Sequence, residues 1–124
     1  MSTSFKPSIQ IYRADGVIAK GMAVKAGSDS QHVAAATGKT DKIIGIAQNA
    51  AAAIDDQVEV ALPGGGGKGL AGGTILFGDA LTSDNSTGKL VATTTAGDHV
   101  IATAMDGAVV GDVFSLHVNR YNYS

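Results

Sequence analysis

Short runs in which apolar residues alternate with polar or small ones recur along the chain. The clearest is QVEVAL, Gln57 to Leu62, where Val58, Val60 and Leu62 fall on one face of an extended strand. VFSLHV, Val113 to Val118, does the same through Phe114, Leu116 and Val118. SIQIY (Ser8 to Tyr12), HVAAAT (His32 to Thr37) and IIGIA (Ile43 to Ala47) are further short apolar segments bounded by turn residues. AGSDS, TGKTD, IDD, TSDNSTG and TAGD separate these segments and predict turns. Strands this short and this closely spaced predict an all-β barrel or sandwich rather than a parallel sheet with crossover helices. NAAAAI, Asn49 to Ile54, has high helix propensity. It is far shorter than the roughly 12 residues an isolated helix needs, which predicts a turn or at most one helical turn.

The pattern repeats. Shifting the sequence by 57 residues lays Ala14–Asp55 on Ala71–Asp112 without a gap and gives 12 identities in 42 positions. They include Gly16/Gly73, Ile18/Ile75, Gly21/Gly78, Ala23/Ala80, Ala47/Ala104, Ala51/Ala108 and Asp55/Asp112. Conservative pairs such as Val24/Leu81, Val33/Leu90 and Ile43/Val100 keep the same register. A one-residue deletion placed after Asp55 sets Phe114 on Val58, Leu116 on Val60 and Val118 on Leu62, so both halves end in a half-buried strand. Two copies are too few for a solenoid and suit a single small domain built from related halves. The predicted organisation is an arm and first strand over residues 1–12, then one β domain over 13–124. Its repeats span 14–55 and 71–112, joined by a glycine-rich linker at 63–69 that the glycines keep flexible.

Composition narrows the function. The chain has 124 residues, 44% apolar but only 5% aromatic, so its core is rich in alanine and valine and thin. A thin core predicts that a partner surface adds stability. Nine basic residues against eleven acidic ones give a charge of −2, which does not suit the neutralisation of nucleic-acid phosphates. No cysteine is present, so disulfides, thiolate nucleophiles and cysteine-bound zinc are excluded. MSTSFKPSIQ has no apolar core of a signal peptide, and no apolar run reaches the roughly 18 residues of a membrane span.

Candidate chemistry is sparse. LPGGGGKGLAGG, Leu62 to Gly73, suggests a phosphate cradle, but Gly69 follows Lys68 where a P-loop needs a hydroxyl, and Leu62 stands at the place of its first glycine. His32, His99 and His117 lack ligand spacing and read as strand residues rather than metal ligands. Asp55 and Asp56 precede a strand and read as turn caps. No catalytic constellation, cofactor site or metal set emerges.

YRADGVIAKGMAVKAGS, followed in order by TDKIIGIA, an alanine-rich stretch, DDQVEVAL, a glycine-rich segment, GDALTSDNSTGKLVATT and GDVFSLHV, resembles the small capsid decoration (head cement or stabilisation) proteins of tailed bacteriophages. The resemblance covers about Tyr12 to Val118. It implies an all-β, β-tulip-like domain that binds the exterior of an assembled head as a homotrimer and bridges major capsid protein subunits. It also implies a virion protein made in the host bacterial cytoplasm, without enzymatic activity. In similar proteins an N-terminal arm reaches the shell. The matching segment here is Ser2, Thr3, Ser4, Phe5, Lys6, Pro7 and Ser8. The alternative is a carbohydrate-binding or adhesin-like β-module, whose supporting feature is Tyr121-Asn122-Tyr123.

Overall fold

The computed structural model describes residues 9–38, 42–84, 87–96 and 98–122. The described residues are all-β, and no helix among them is long and apolar enough to cross a membrane. Strands β1 (Ile9–Ala14), β2 (Ala23–Ala26), β3 (His32–Ala35), β4 (Ile43–Ala47) and β5 (Gln57–Ala61) close into a barrel in the order β1-β3-β2-β4-β5. Strands β6 (Gly66–Leu70), β7 (Ala80–Ser83), β8 (Leu90–Ala92), β9 (His99–Ala104) and β10 (Val113–Asn122) form a second sheet in the order β6-β10-β9-β7-β8. That order repeats the neighbours of the barrel strand for strand.

Each half therefore builds its own sheet instead of lending strands to one shared barrel. Closure of the first depends on a parallel pairing of β1 with β3, at Arg13 with His32 and Ala14 with Val33. Among the described residues the second half carries a single parallel bridge at the matching place, Ala71 with Leu90. The bridge Ile18–Ala51 returns as Ile75–Ala108.

The deletion lies elsewhere than the alignment places it. Asp55 has φ 69° and its N–H donates to Ala14 O, while Gly111 has φ 89° and its N–H donates to Ala71 O. Asp55 thus corresponds to Gly111, and Asp56 to Asp112. The missing residue falls in the turn after Ala51. Two adjacent aspartates conceal the shift, because either one can be laid on Asp112.

Two groups of apolar side chains hold the halves. Ala14, Ile18, Val24, Val33, Ala47, Val58 and Val60 fill the barrel. Ala71, Ile75, Leu81, Leu90, Ala104, Phe114 and Leu116 take the same places in the second half. That second cluster also includes Ala23, Ala36, Ile43, Ile46 and Ala61, which point out of the barrel. Strands β2, β4 and β5 are consequently covered on both faces, and Ala61 is buried beside Val60. Small residues suit this position because two backbones must approach closely across it.

The glycine run shows the same logic. Gly66–Leu70 is not a loose linker but β6, antiparallel to β10 from Leu70–Val113 to Gly66–His117. A Cβ on Gly69 would stand 2.5 Å from both Leu116 Cδ2 and Leu90 Cδ1. The glycine is there for lack of a side chain rather than for mobility. Likewise Ile9 to Tyr12 belong to the barrel, since they pair with β5 from Ala61 to Val58.

Candidate functional site

The candidate shell-contacting residues Ser2, Thr3, Ser4, Phe5, Lys6, Pro7 and Ser8 lie outside the described residues. The strand they precede is placed: β1 starts at Ile9, and its residues 9–12 pair with β5 alone. Ile9 and Ile11 lie on its outer face and are exposed. This strand carries apolar side chains at the surface beside an edge free of β3.

One end of the barrel holds a charged network. His32 opens β3, with Nδ1 2.8 Å from Asp29 Oδ1 and Nε2 2.8 Å from Asp55 Oδ1. Its ring is largely covered, at 19% exposure, while both carboxylates face solvent. The hydrogen bond to Asp29 first, and that to Asp55 second, raise the imidazole pKa from 6.5 to about 9. The same contact with His32 holds the Asp29 carboxyl below its ordinary value. Nearby, Asp15 accepts from the N–H and hydroxyl of Ser28, and Arg13 Nη1 donates to Asp55 O. The network ties the loop before β3 and the turn before β5 to the end of β1. It is a clasp on the barrel rim.

The paired aspartates divide their work. Asp56 Oδ2 accepts from the N–H groups of Ala52 and Ala53, a turn cap, and Asp112 Oδ2 accepts from Val109 N–H in the second half. Asp55 instead serves the His32 clasp. His99 on β9 and His117 on β10 are exposed and stand apart from His32 in the other half. No grouping of three or more His, Cys, Asp or Glu suited to a metal ion occurs among the described residues.

The two halves meet through main-chain recognition. Leu70 N–H donates to Gly21 O at 2.9 Å, and Ala23 N–H donates to Gly88 O at 2.8 Å. Gln48 extends this contact with its side-chain amide. Its Oε1 accepts from Lys68 N–H, and its Nε2 donates to Lys68 O. Gly21 has φ 87°, and a Cβ there would lie 2.6 Å from Leu70 N.

Sequence reasoning missed the apolar residues on the second half. Leu76, Phe77, Met105, Val109, Val110 and Val113 are all exposed. They come from the turn after the Ile75–Ala108 bridge, from the segment around its partner, and from the start of β10. The signal was available in the repeat. Leu76, Phe77 and Met105 stand 57 residues after Ala19, Lys20 and Gln48, so the fold does not require apolar side chains there.

A cleft of about 280 Å³ lies between β7, β8 and the segment leading to β9, lined by Thr82, Ser83, Asp84, Thr93, Thr95 and Asp98 among others. Thr93 Oγ1 donates to Asp98 Oδ2. Thr82 Oγ1 is buried without a hydrogen-bond partner.

No protein-family model matches the chain, and no curated protein matches it. Among solved structures, the crystal structure of the head fiber gp8.5 N base in bacteriophage phi29 is similar over 94% of this chain and 97% of that one, with a TM-score of 0.70. The two share a fold. At 21% identity the likeness concerns the arrangement of strands, and it spans both halves of the present chain.

Proposed function

We propose that this chain is a non-enzymatic structural protein of a tailed-phage head, bound to the outer surface of the shell and bridging major capsid protein subunits. The observation that carries the reading is the shared fold with a phage head fiber base over nearly the whole of both chains. The ordered motifs from Tyr12 to Val118 support it independently of that fold. In this reading Ser2 to Ser8 form an arm that reaches the shell, where strand addition supplies main-chain hydrogen bonds to a partner edge.

The physical task needs no chemistry. Packed DNA pushes outward, and a protein that binds only the assembled lattice lowers that lattice's free energy by mass action. Each site needs no more than a standard-sized interface, because many sites act on one shell. The experiment is the stoichiometry of this chain in purified virions, read on a quantitative gel against the major capsid protein. A fixed simple ratio near one to one is expected. A few copies per particle, or none, overturns lattice-wide decoration.

A second reading, a glycan-binding β-module on a virion or cell surface, draws support from the cleft lined by threonines, Asp84 and Asp98. Binding of the chain to a glycan array, abolished by Thr93→Ala, would favour it.

A further inference from the structure

We infer that the end of the second half formed by Leu76, Phe77 and Met105 receives strand β1 of a second copy of this chain, through Ile9 and Ile11. This contact is head-to-tail and uses positions that match part of the junction between the chain's own two halves.

Inside one chain, the first half holds the first strand of the second. Gly21 O accepts from Leu70 N–H, and Gln48 grips the main chain of Lys68. Shifted by 57 residues, β1 is the counterpart of β6, with Ile9 at Gly66 and Ile11 at Lys68. Gly78 is the counterpart of Gly21, down to its positive φ of 90° against 87°. Met105 is the counterpart of Gln48. The second half therefore carries its own copy of the receiving surface, and no described residue of the chain occupies it. Leu76 is 65% exposed, Phe77 75% and Met105 46%.

The residue types separate the two situations. Where the contact is made within the chain, Gln48 holds the main chain of Lys68, and the residues at the matching positions are Ala19, Lys20 and Gln48 on one half and Gly66 and Lys68 on the other. Where it is open, they are Leu76, Phe77 and Met105, with Ile9 and Ile11 on the strand that would fill it. Large apolar side chains stand at both open positions and at none of the internal ones, and an exposed apolar patch of this kind marks an interaction surface. The contact falls on Ile9 and Ile11 rather than on Arg13 because Arg13 N–H is already held by Gln31 O. A two-fold pairing of the patch with itself would bring the exposed Asp106, which adjoins Met105 in the chain, near its own copy. A head-to-tail contact avoids this and propagates until it closes into a ring.

The test uses the full chain and sedimentation velocity. The wild type is expected to form a discrete assembly of three or more copies. Phe77→Asp and Ile11→Asp, both at exposed positions, should each sediment as a monomer with an unchanged circular dichroism spectrum. Mixed in equal amounts, the two variants retain one intact receiving end and one intact strand, so they should form a one-to-one pair that grows no further. A monomeric or two-fold dimeric wild type overturns the inference. So do folded variants that keep the wild-type assembly, or a mixture that stays monomeric. If either variant misfolds, Met105→Lys with Ile9→Lys provides the same experiment at the same two surfaces.

Discussion

His32 Nε2 lies 2.8 Å from Asp55 Oδ1, joining the start of β3 to the turn before β5 across the rim of the barrel. With Asp29 on the other ring nitrogen, the imidazole is held charged well above its usual range, to about 9. A histidine whose pKa is higher in the folded state stabilises that state fully below its unfolded value of 6.5. The contribution fades as pH rises through about 9. Thermal melts of the wild type and His32→Ala should differ most below pH 6.5, and the gap should narrow as pH passes 9. In Asp55→Asn, an NMR titration of His32 should show its midpoint falling toward 6.5, because one of the two carboxylates that raise it is gone.

Gly69 lies where two leucine side chains converge. Adding one methyl group in Gly69→Ala forces Leu116 and Leu90 out of place and is expected to cost about 1–3 kcal/mol. Gly16 has nothing within 4 Å of an added Cβ and no positive φ. Gly16→Ala should therefore be neutral, or stabilising by up to about 1 kcal/mol through the unfolded chain. Urea midpoints of the two variants separate the predictions, a clear fall for Gly69→Ala and no fall for Gly16→Ala.

Thr82 buries a hydroxyl that finds no partner, and an unsatisfied buried hydroxyl costs on the order of 1–3 kcal/mol. Valine has the same branched shape without the polar atom. Thr82→Val should raise the melting temperature, while Val91→Thr, across the ladder from it, should not.

Removal of residues 2–8 tests the proposed arm. The truncated chain should melt like the wild type, since it keeps the pairing of Ile9 to Arg13 with β5. It should also fail to bind assembled heads in a pelleting assay. Undiminished pelleting would remove the arm from the proposed function.

Much of the fold was legible because the barrel interior is written in period two. Val58 and Val60 face inward, as their alternation predicts, and Ile43–Ala47 forms a strand with the expected bounds. Strands β2, β7 and β8 escaped because they have three or four residues each and no apolar run like that of β3, and β9 escaped because Val100, Ile101 and Ala102 are buried in succession without alternation. Strand β6 escaped for a different reason. Glycine has no side chain from which a pattern could be read, and its role at Gly69 exists only once Leu90 and Leu116 are in place. The clasp was hidden similarly: Asp29 and His32 are neighbours in one loop, but Asp55 joins them only because β1 pairs with both β3 and β5, which no local signal announces. The exposed apolar end of the second half was readable in principle. It required comparing the two copies position by position, at Ala19 with Leu76, Lys20 with Phe77 and Gln48 with Met105.

Each half begins and ends on neighbouring strands, β1 beside β5 and β6 beside β10. A unit whose entry and exit lie side by side can be duplicated in a gene by one tandem event, without tearing apart any existing sheet. The two units can differ wherever neither the strand plan nor the packing between them fixes a residue. Such a difference stands at the end of the second unit, where a phenylalanine, a methionine and a leucine take the places of a lysine, a glutamine and an alanine in the first. One strand plan written twice can thus present two different surfaces.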